Sequence, residues 1–243
     1  MNKYILITSI AAILINNVAR AEDAKPDNEV SFNAALTSDY RYRGISQTRL
    51  QPALQGGADY VNNPTGFYAG TWLSTIKWIK DAGGDGNVEV DIYGGKRGEI
   101  VKDVSYDVGV LSYVYPSNDL HPSANTTEVY GQVGYGPAYI KYSDSVTNLF
   151  GFANSKNSGY LDIGANITVA ENLTLNLHGG RQVVKNSGLS SYNDWKIGLT
   201  KDFGFVTGSV SAIGTDTKTY VGPAPDSKNL GKTSLVVAIS KTF

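Results

Sequence analysis

From Val30 to Arg43 the even positions read Val, Phe, Ala, Leu, Ser, Tyr, Tyr and the odd positions Ser, Asn, Ala, Thr, Asp, Arg, Arg. A period of two puts successive side chains on opposite faces of an extended strand. One face of this segment is therefore apolar and ends in tyrosines, and the other is polar and ends in charge. The same alternation returns in Val88, Val90, Ile92 against Glu89, Asp91, Tyr93, and in Leu173, Leu175, Leu177 against Thr174, Asn176, His178. Further on, Trp195, Ile197, Leu199 oppose Asp194, Lys196, Thr200, and Leu235, Val237, Ile239 oppose Ser234, Ala238, Ser240. Between Phe67 and Ile76 the pattern leaves the faces open, because Trp72 and Ile76 share a parity with Tyr68 and Ser74.

Helical periodicity is absent beyond the N-terminal segment, so the expected fold is all-β. The predicted strands are Val30–Arg43, Ala53–Val61, Gly66–Trp78, Val88–Gly95, Val104–Tyr115, Thr126–Tyr135, Ala138–Ser143, Tyr160–Val169, Leu173–Gly180, Trp195–Asp202, Phe205–Gly214 and Thr233–Phe243. The segments between them alternate in length. Asn62–Thr65, Gly136-Pro137, Ala170–Asn172 and Asp202–Gly204 are short, while Lys80–Asn87, Pro116–Asn125, Asp144–Gly159, Gln182–Asp194 and Thr215–Lys232 are long and rich in turn-forming polar residues. Lys96–Asp103 is the exception in length, and a tight turn is expected within it. Short turns at one end and long loops at the other are the layout of a transmembrane antiparallel up-and-down β-barrel, here of about 12 strands. A soluble β-sandwich has less reason to show it.

The N-terminus changes the compartment. Lys3 precedes an apolar run, Tyr4 to Ile15, too short to cross a bilayer as a helix, and Ala19-Arg20-Ala21 has the small-x-small form of an export cleavage site. Residues 1–21 read as a signal peptide and residues 22–243 as the barrel. Glu22–Asn28, charged and Pro-containing, is expected to be a mobile periplasmic tail. No later stretch is long and apolar enough for a transmembrane helix.

Composition adds three constraints. With no Cys among 243 residues, no disulfide staples an exported domain. High Gly (27) and Tyr (16) with a mean hydropathy of -0.20 fit a sheet with one greasy and one polar face. Removing Lys3 and Arg20 leaves 19 basic residues against 22 acidic ones, a net charge of −3 with no basic patch for nucleic acid.

Candidate chemistry follows from parity. If the apolar face meets lipid, Asp39, Arg41 and Arg43 point into a lumen, stacked at i, i+2 and i+4 on one strand. Gln55, Asp59, Glu89, Asp91, Glu128, Lys141, Asp162, Lys196 and His178 fall on the same polar side. These residues either line an open water-filled bore or pair with one another and fill a closed interior. The aromatics near predicted strand ends, among them Tyr113, Tyr115, Tyr135 and Trp195, suit interfacial girdles and equally the core of a soluble barrel. Enzyme readings are weak. His121-Pro122-Ser123-Ala124-Asn125 sits in a Pro-containing loop without the fixed geometry of a triad, His178 alone is not a metal site, and Asp81–Gly86 lacks the bidentate Glu of a calcium loop. No cofactor motif is present.

The stretches Ser38-Asp39-Tyr40-Arg41-Tyr42-Arg43-Gly44-Ile45-Ser46-Gln47-Thr48, Pro52-Ala53-Leu54-Gln55-Gly56-Gly57-Ala58-Asp59-Tyr60 and Gly66-Phe67-Tyr68-Ala69-Gly70-Thr71-Trp72 resemble the opening of the TorF family of porin-like proteobacterial outer-membrane proteins. That resemblance implies an outer-membrane barrel and names no solute or functional residue. Phe243, at the end of an apolar strand face, resembles the signal read by the barrel-insertion machinery. The expected partners are outer-membrane lipid, that machinery and small hydrophilic solutes diffusing through a mixed-charge lumen. A closed structural or surface-interaction barrel without transport is the alternative.

Overall fold

The computed structural model describes residues 26–243; the expected signal peptide and its cleavage site lie outside the described residues. The chain forms β1 (Asn28–Thr37), β2 (Arg41–Tyr42), β3 (Ile45–Ser46), β4 (Ala53–Asn62), β5 (Phe67–Thr75), α1 (Trp78–Asp81), β6 (Val88–Val101), β7 (Val104–Val114), β8 (Thr126–Tyr135), β9 (Ala138–Ser145), β10 (Gly159–Ala170), β11 (Leu173–Val183), β12 (Tyr192–Asp202), β13 (Thr207–Thr215) and β14 (Ser234–Thr242). Twelve of these strands close into one antiparallel barrel in which β1 pairs with β4 on one side and β14 on the other. Closure leaves no sheet edge unpaired, the condition for a β-structure to sit in hydrocarbon.

The faces are inverted relative to a soluble protein. Val30, Phe32 and Leu36 on β1, Ile92 on β6, Val129 and Val133 on β8, Ile163 on β10, Ile197 on β12 and Leu235, Val237 and Ile239 on β14 are exposed on the outside. Glu89, Asp91, Asp107, Glu128, Gln132, Lys141, Asp162 and Asp194 are buried on the inside. Water would penalise both faces, whereas a lipid environment favours this arrangement. On β5, where the sequence left the faces open, Phe67 and Leu73 point outward and Trp72 and Ser74 inward.

Short connections at residues 63–66, 102–103, 136–137, 171–172 and 203–206 share one end of the barrel. The longer expected connection after Lys96 resolves because β6 runs on to Val101, with a bulge between Glu99 and Val101, leaving a two-residue turn. Long loops at 38–52, 76–87, 115–125, 146–158, 184–191 and 216–233 occupy the other end. The expected tail is shorter than anticipated. Asn28 already pairs with Asn62 in the sheet, and the Asn63 amide donates to the Asp27 carbonyl at 2.8 Å.

One predicted strand is corrected. β1 ends at Thr37, and Asp39, Arg41 and Arg43 do not continue it; residues 38–52 turn inward and form the β2–β3 hairpin within the barrel mouth. The alternation persisted past Thr37 because a short hairpin strand obeys the same period as a barrel strand.

Candidate functional site: a hairpin across the lumen

The hairpin turns at Arg43 and Gly44, whose φ values of 46 and 78 are both left-handed, the backbone of a tight two-residue hairpin turn. Gly44 is required here twice over. Beyond the backbone angle, a Cβ at this position would lie 2.5 Å from Thr215 Cγ2 and 2.8 Å from Asp194 Cβ, so the tip is pressed against the β12–β13 wall.

Asp39 organises the base of the hairpin. Its carboxylate accepts from Arg41 Nε at 2.5 Å, Ser46 Oγ at 2.5 Å and Thr48 Oγ1 at 3.2 Å. Arg41 then donates through Nη1 to the carbonyls of Gly44 and Leu230, each at 2.9 Å, and of Lys232 at 3.1 Å. On the other flank the Gln47 carbonyl accepts from the amides of Lys77 and Trp78, and Arg49 pairs with Asp81. The hairpin is thus clamped between the 76–87 and 216–233 loops.

Arg43 reaches furthest. Nη2 donates to Glu128 Oε2 on β8 and Nη1 to Gln182 Oε1 on β11, both at 2.6 Å, and the guanidinium lies 4.1 Å from the Tyr160 ring centroid. One side chain therefore ties together two walls that are not neighbours in the sheet. Burial works against its charge, but the Glu128 carboxylate outweighs burial and holds the guanidinium firmly protonated. Beside it, Tyr42 donates to the Tyr113 hydroxyl at 2.8 Å, and both rings pack edge-to-face on Phe150. Tyr40 donates to Glu89 Oε1 at 2.6 Å. Burial first, and the Glu89 charge second, raise the Tyr40 hydroxyl well above the ordinary phenol range, so it remains a donor.

Below the hairpin the lumen has two unlike sides. Along β4 to β8 it is filled by tyrosines lying across the strands to reach carboxylates: Tyr93 donates to Asp59 at 2.5 Å and Tyr68 to Asp107 at 2.6 Å. Glycines make room for both, since a Cβ on Gly70 would strike the Tyr93 ring and one on Gly95 the Tyr68 hydroxyl, each at 2.6 Å. The other side, from β9 round to β1, keeps a cavity of about 320 Å³ that also reaches Gln55, Trp72, Asp91 and Tyr113; its wall carries small hydroxyl and amide residues such as Ser209, Ser211, Ser240 and Asn176 beside Leu177, Ile213 and Val236. Lys141, Asp162, His178, Asp194 and Lys196 face the same space. His178 is held between Asp162 and Asp194 at 2.8 and 2.7 Å.

Of the residues singled out from sequence, Asp39, Arg41, Arg43, Gln55, Asp91, Lys141, Asp162 and Lys196 line the cavity. Asp59, Glu89 and Glu128 also face inward but lie off it, bonded to Tyr93, Tyr40 and Arg43. Sequence reasoning passed over Asp107, which the Ser105, Asp107, Gly109 parity of β7 could have supplied, and the tyrosine donors, whose reach across a strand leaves no mark in a period-two pattern. In the 115–125 loop Ser123 Oγ accepts from the Asn125 amide at 3.2 Å, a local turn bond. No group of three or more metal-ligating side chains exists among the described residues.

A closed barrel of twelve antiparallel strands, greasy outside and polar inside, is the architecture of the outer-membrane barrels. Residues 21–243 match the family model described as "Bacterial protein of unknown function (Gcw_chp)", and the chain belongs to that family. Comparison with curated proteins gives no match. Among solved structures the chain is similar to a KdgM porin, with a TM-score of 0.56 and 8% identity over 88% of this chain and 98% of that one. It is also similar to a structure described as "Unveiling the Mechanism Behind the in-meso Crystallization of Membrane Proteins", with a TM-score of 0.52 and 9% identity over 88% of this chain and 83% of the other. At such identities the likeness is one of fold.

Proposed function

We propose that the protein is a porin-like barrel of the bacterial outer membrane, as the TorF resemblance implies, and that small hydrophilic solutes diffuse passively through it. The observation that carries this reading is the cavity of about 320 Å³ inside the barrel, whose wall carries hydroxyl, amide and charged groups such as Ser209, Ser211, Asn176, Asp162 and Lys196 beside aromatic and aliphatic side chains. A polar wall of that kind holds water, and water is the medium a hydrophilic solute needs. Asp39, Arg41 and Arg43 form its constriction, and Gln55, Asp91, Lys141, Asp162 and Lys196 its walls. Lipid surrounds the outward apolar belt, and Phe243 is the element offered to the insertion machinery. The likeness to a porin supports the barrel part of the proposal.

Purified protein in planar bilayers is expected to give discrete conductance steps whose size and ion preference change in Arg41→Ala and Arg43→Ala variants. A second reading, a closed barrel that serves structure or surface binding, is favoured by the Arg43 bridge between β8 and β11. A bilayer that stays tight with wild-type protein and also after deletion of residues 39–51 decides for that second reading.

A further inference from the structure

The outer surface of the barrel is apolar but not free of charge. On the outward parity of the barrel strands the charged side chains are Lys96, Asp144, Arg181, Lys201 and Lys241. Asp144 and Arg181, of opposite sign, stand toward the long loops. Lys96, Lys201 and Lys241 stand toward the short turns, so the outer face at that end carries one sign alone. The carboxylates nearest to it, Glu29, Glu99 and Asp202, have inward parity, and Asp103 and Glu171 sit in the turns. None of the three lysines forms an ion pair among the described residues.

Lys201 Nζ is engaged by the Glu171 carbonyl at 2.8 Å. The other two are each poised on a ring. Lys96 Nζ lies 5.1 Å from the centroid of Phe67, and Lys241 Nζ 5.2 Å from that of Phe243. Both rings are exposed. An ammonium on the face of an exposed ring belongs where hydrocarbon gives way to headgroups.

The two pairs bracket one strip of wall. Phe243 and Phe32 exchange backbone hydrogen bonds across the β1–β14 seam, Val30 stands opposite Tyr60 on β4, and Phe67 stands opposite Lys96 on β6. Phe32, Val30 and Tyr60 are exposed as well, so the strip is apolar from β14 to β6 and ends at each flank in an ammonium. The flanks are four strands apart, roughly 20 Å at the usual strand spacing, too far to share one phosphate. An acyl chain covers a surface of this kind, and a phosphate answers an ammonium that has no carboxylate partner.

Resting on the outer-membrane reading above but not on conduction, we propose that this strip binds anionic phospholipids of the periplasmic leaflet, the one at the short-turn end. Lys241 holds one headgroup and Lys96 another, and the acyl chains lie along the strip between them.

The test refolds wild-type protein into vesicles of equal phosphatidylcholine and phosphatidylglycerol, extracts it gently in detergent, and counts the lipids that stay bound by native mass spectrometry. Phosphatidylglycerol is expected to be retained over phosphatidylcholine by about fivefold, the value of one lysine beside an anionic headgroup, and the excess should shrink as salt rises. Lys96→Gln combined with Lys241→Gln should bring the ratio close to one, and each single change should remove part of the excess. Equal retention of the two lipids by wild type, or a ratio unmoved in the double variant, overturns the site and leaves the membrane reading standing. A chain that stays outside the vesicles overturns the membrane reading, and the site falls with it. Because the wild-type ratio already decides, a variant that fails to fold does not shield the proposal.

Discussion

Arg43 is the single side chain whose removal says most about the hairpin. Its side chain is 7% exposed and that of Glu128 2%, and the two meet at 2.6 Å. Breaking a buried pair by deleting one member costs about 3–5 kcal/mol, since the surviving charge is left without compensation. Water in the adjoining cavity softens that figure, so ~3 kcal/mol is the working value, which changes the ratio of seated to displaced hairpin by roughly a hundredfold. Arg43→Ala is therefore expected to give more frequent and larger conductance steps in planar bilayers, and to expose the buried Arg41 to trypsin in detergent. Arg43→Lys, which keeps the charge but loses the fork that spans Glu128 and Gln182, should fall between. Adding Glu128→Gln to Arg43→Ala removes the orphaned carboxylate and should restore part of the seating, a coupling that two independent sites would lack. Step sizes and tryptic patterns identical to wild type would refute the claim that Arg43 anchors the hairpin.

Other perturbations test the rest of the architecture. Gly44→Val forces a β-branched residue into a left-handed turn against Thr215 and Asp194 and should loosen the hairpin tip by about 1–3 kcal/mol, read by the same tryptic digest. Ile163→Arg, on the lipid side of β10, should destabilise the barrel by about 2–4 kcal/mol in urea titrations from lipid vesicles, whereas Ser211→Arg, facing the cavity, should leave the midpoint nearly unchanged and reduce step conductance. Equal effects of those two arginines would refute the inside and outside assignments. Gly95→Val should push Tyr68 off Asp107, seen as a changed tyrosine environment in near-ultraviolet circular dichroism. Deleting residues 216–233 removes the Leu230 and Lys232 carbonyls that hold Arg41 and should unseat the hairpin while the barrel still forms.

Much of the barrel was legible from period and punctuation. β8, with Glu128 on one parity and Val129 and Val133 on the other, was readable to the residue because both ends carry turn-forming segments. β1 misled for a physical reason. Tyr40 and Tyr42 continue its apolar parity, yet they pack inside against Trp72, Tyr113 and Phe150, where aromatic rings suit a lumen as well as they suit a membrane interface. The Arg43-Gly44 pair was the signal that a turn interrupts the pattern, and it was weaker than the alternation around it. Charges on β6, β9, β10 and β12 were placed inward by parity alone, but which of them would be paired depends on neighbours far apart in sequence, as Arg43 and Gln182 are. No local pattern encodes that.

The bare stretch of wall along β13 and β14 has an evolutionary consequence. Ser209, Ser211, Ala238 and Ser240 present almost no bulk to the interior, while Val210, Val237 and Ile239 between them carry the contact with hydrocarbon. The two tasks are thus written on alternate letters of the same strands. Exchanging a serine for something larger fills more of the interior without touching the adhesion to the bilayer, so relatives can diverge on the inside while keeping an unchanged shell.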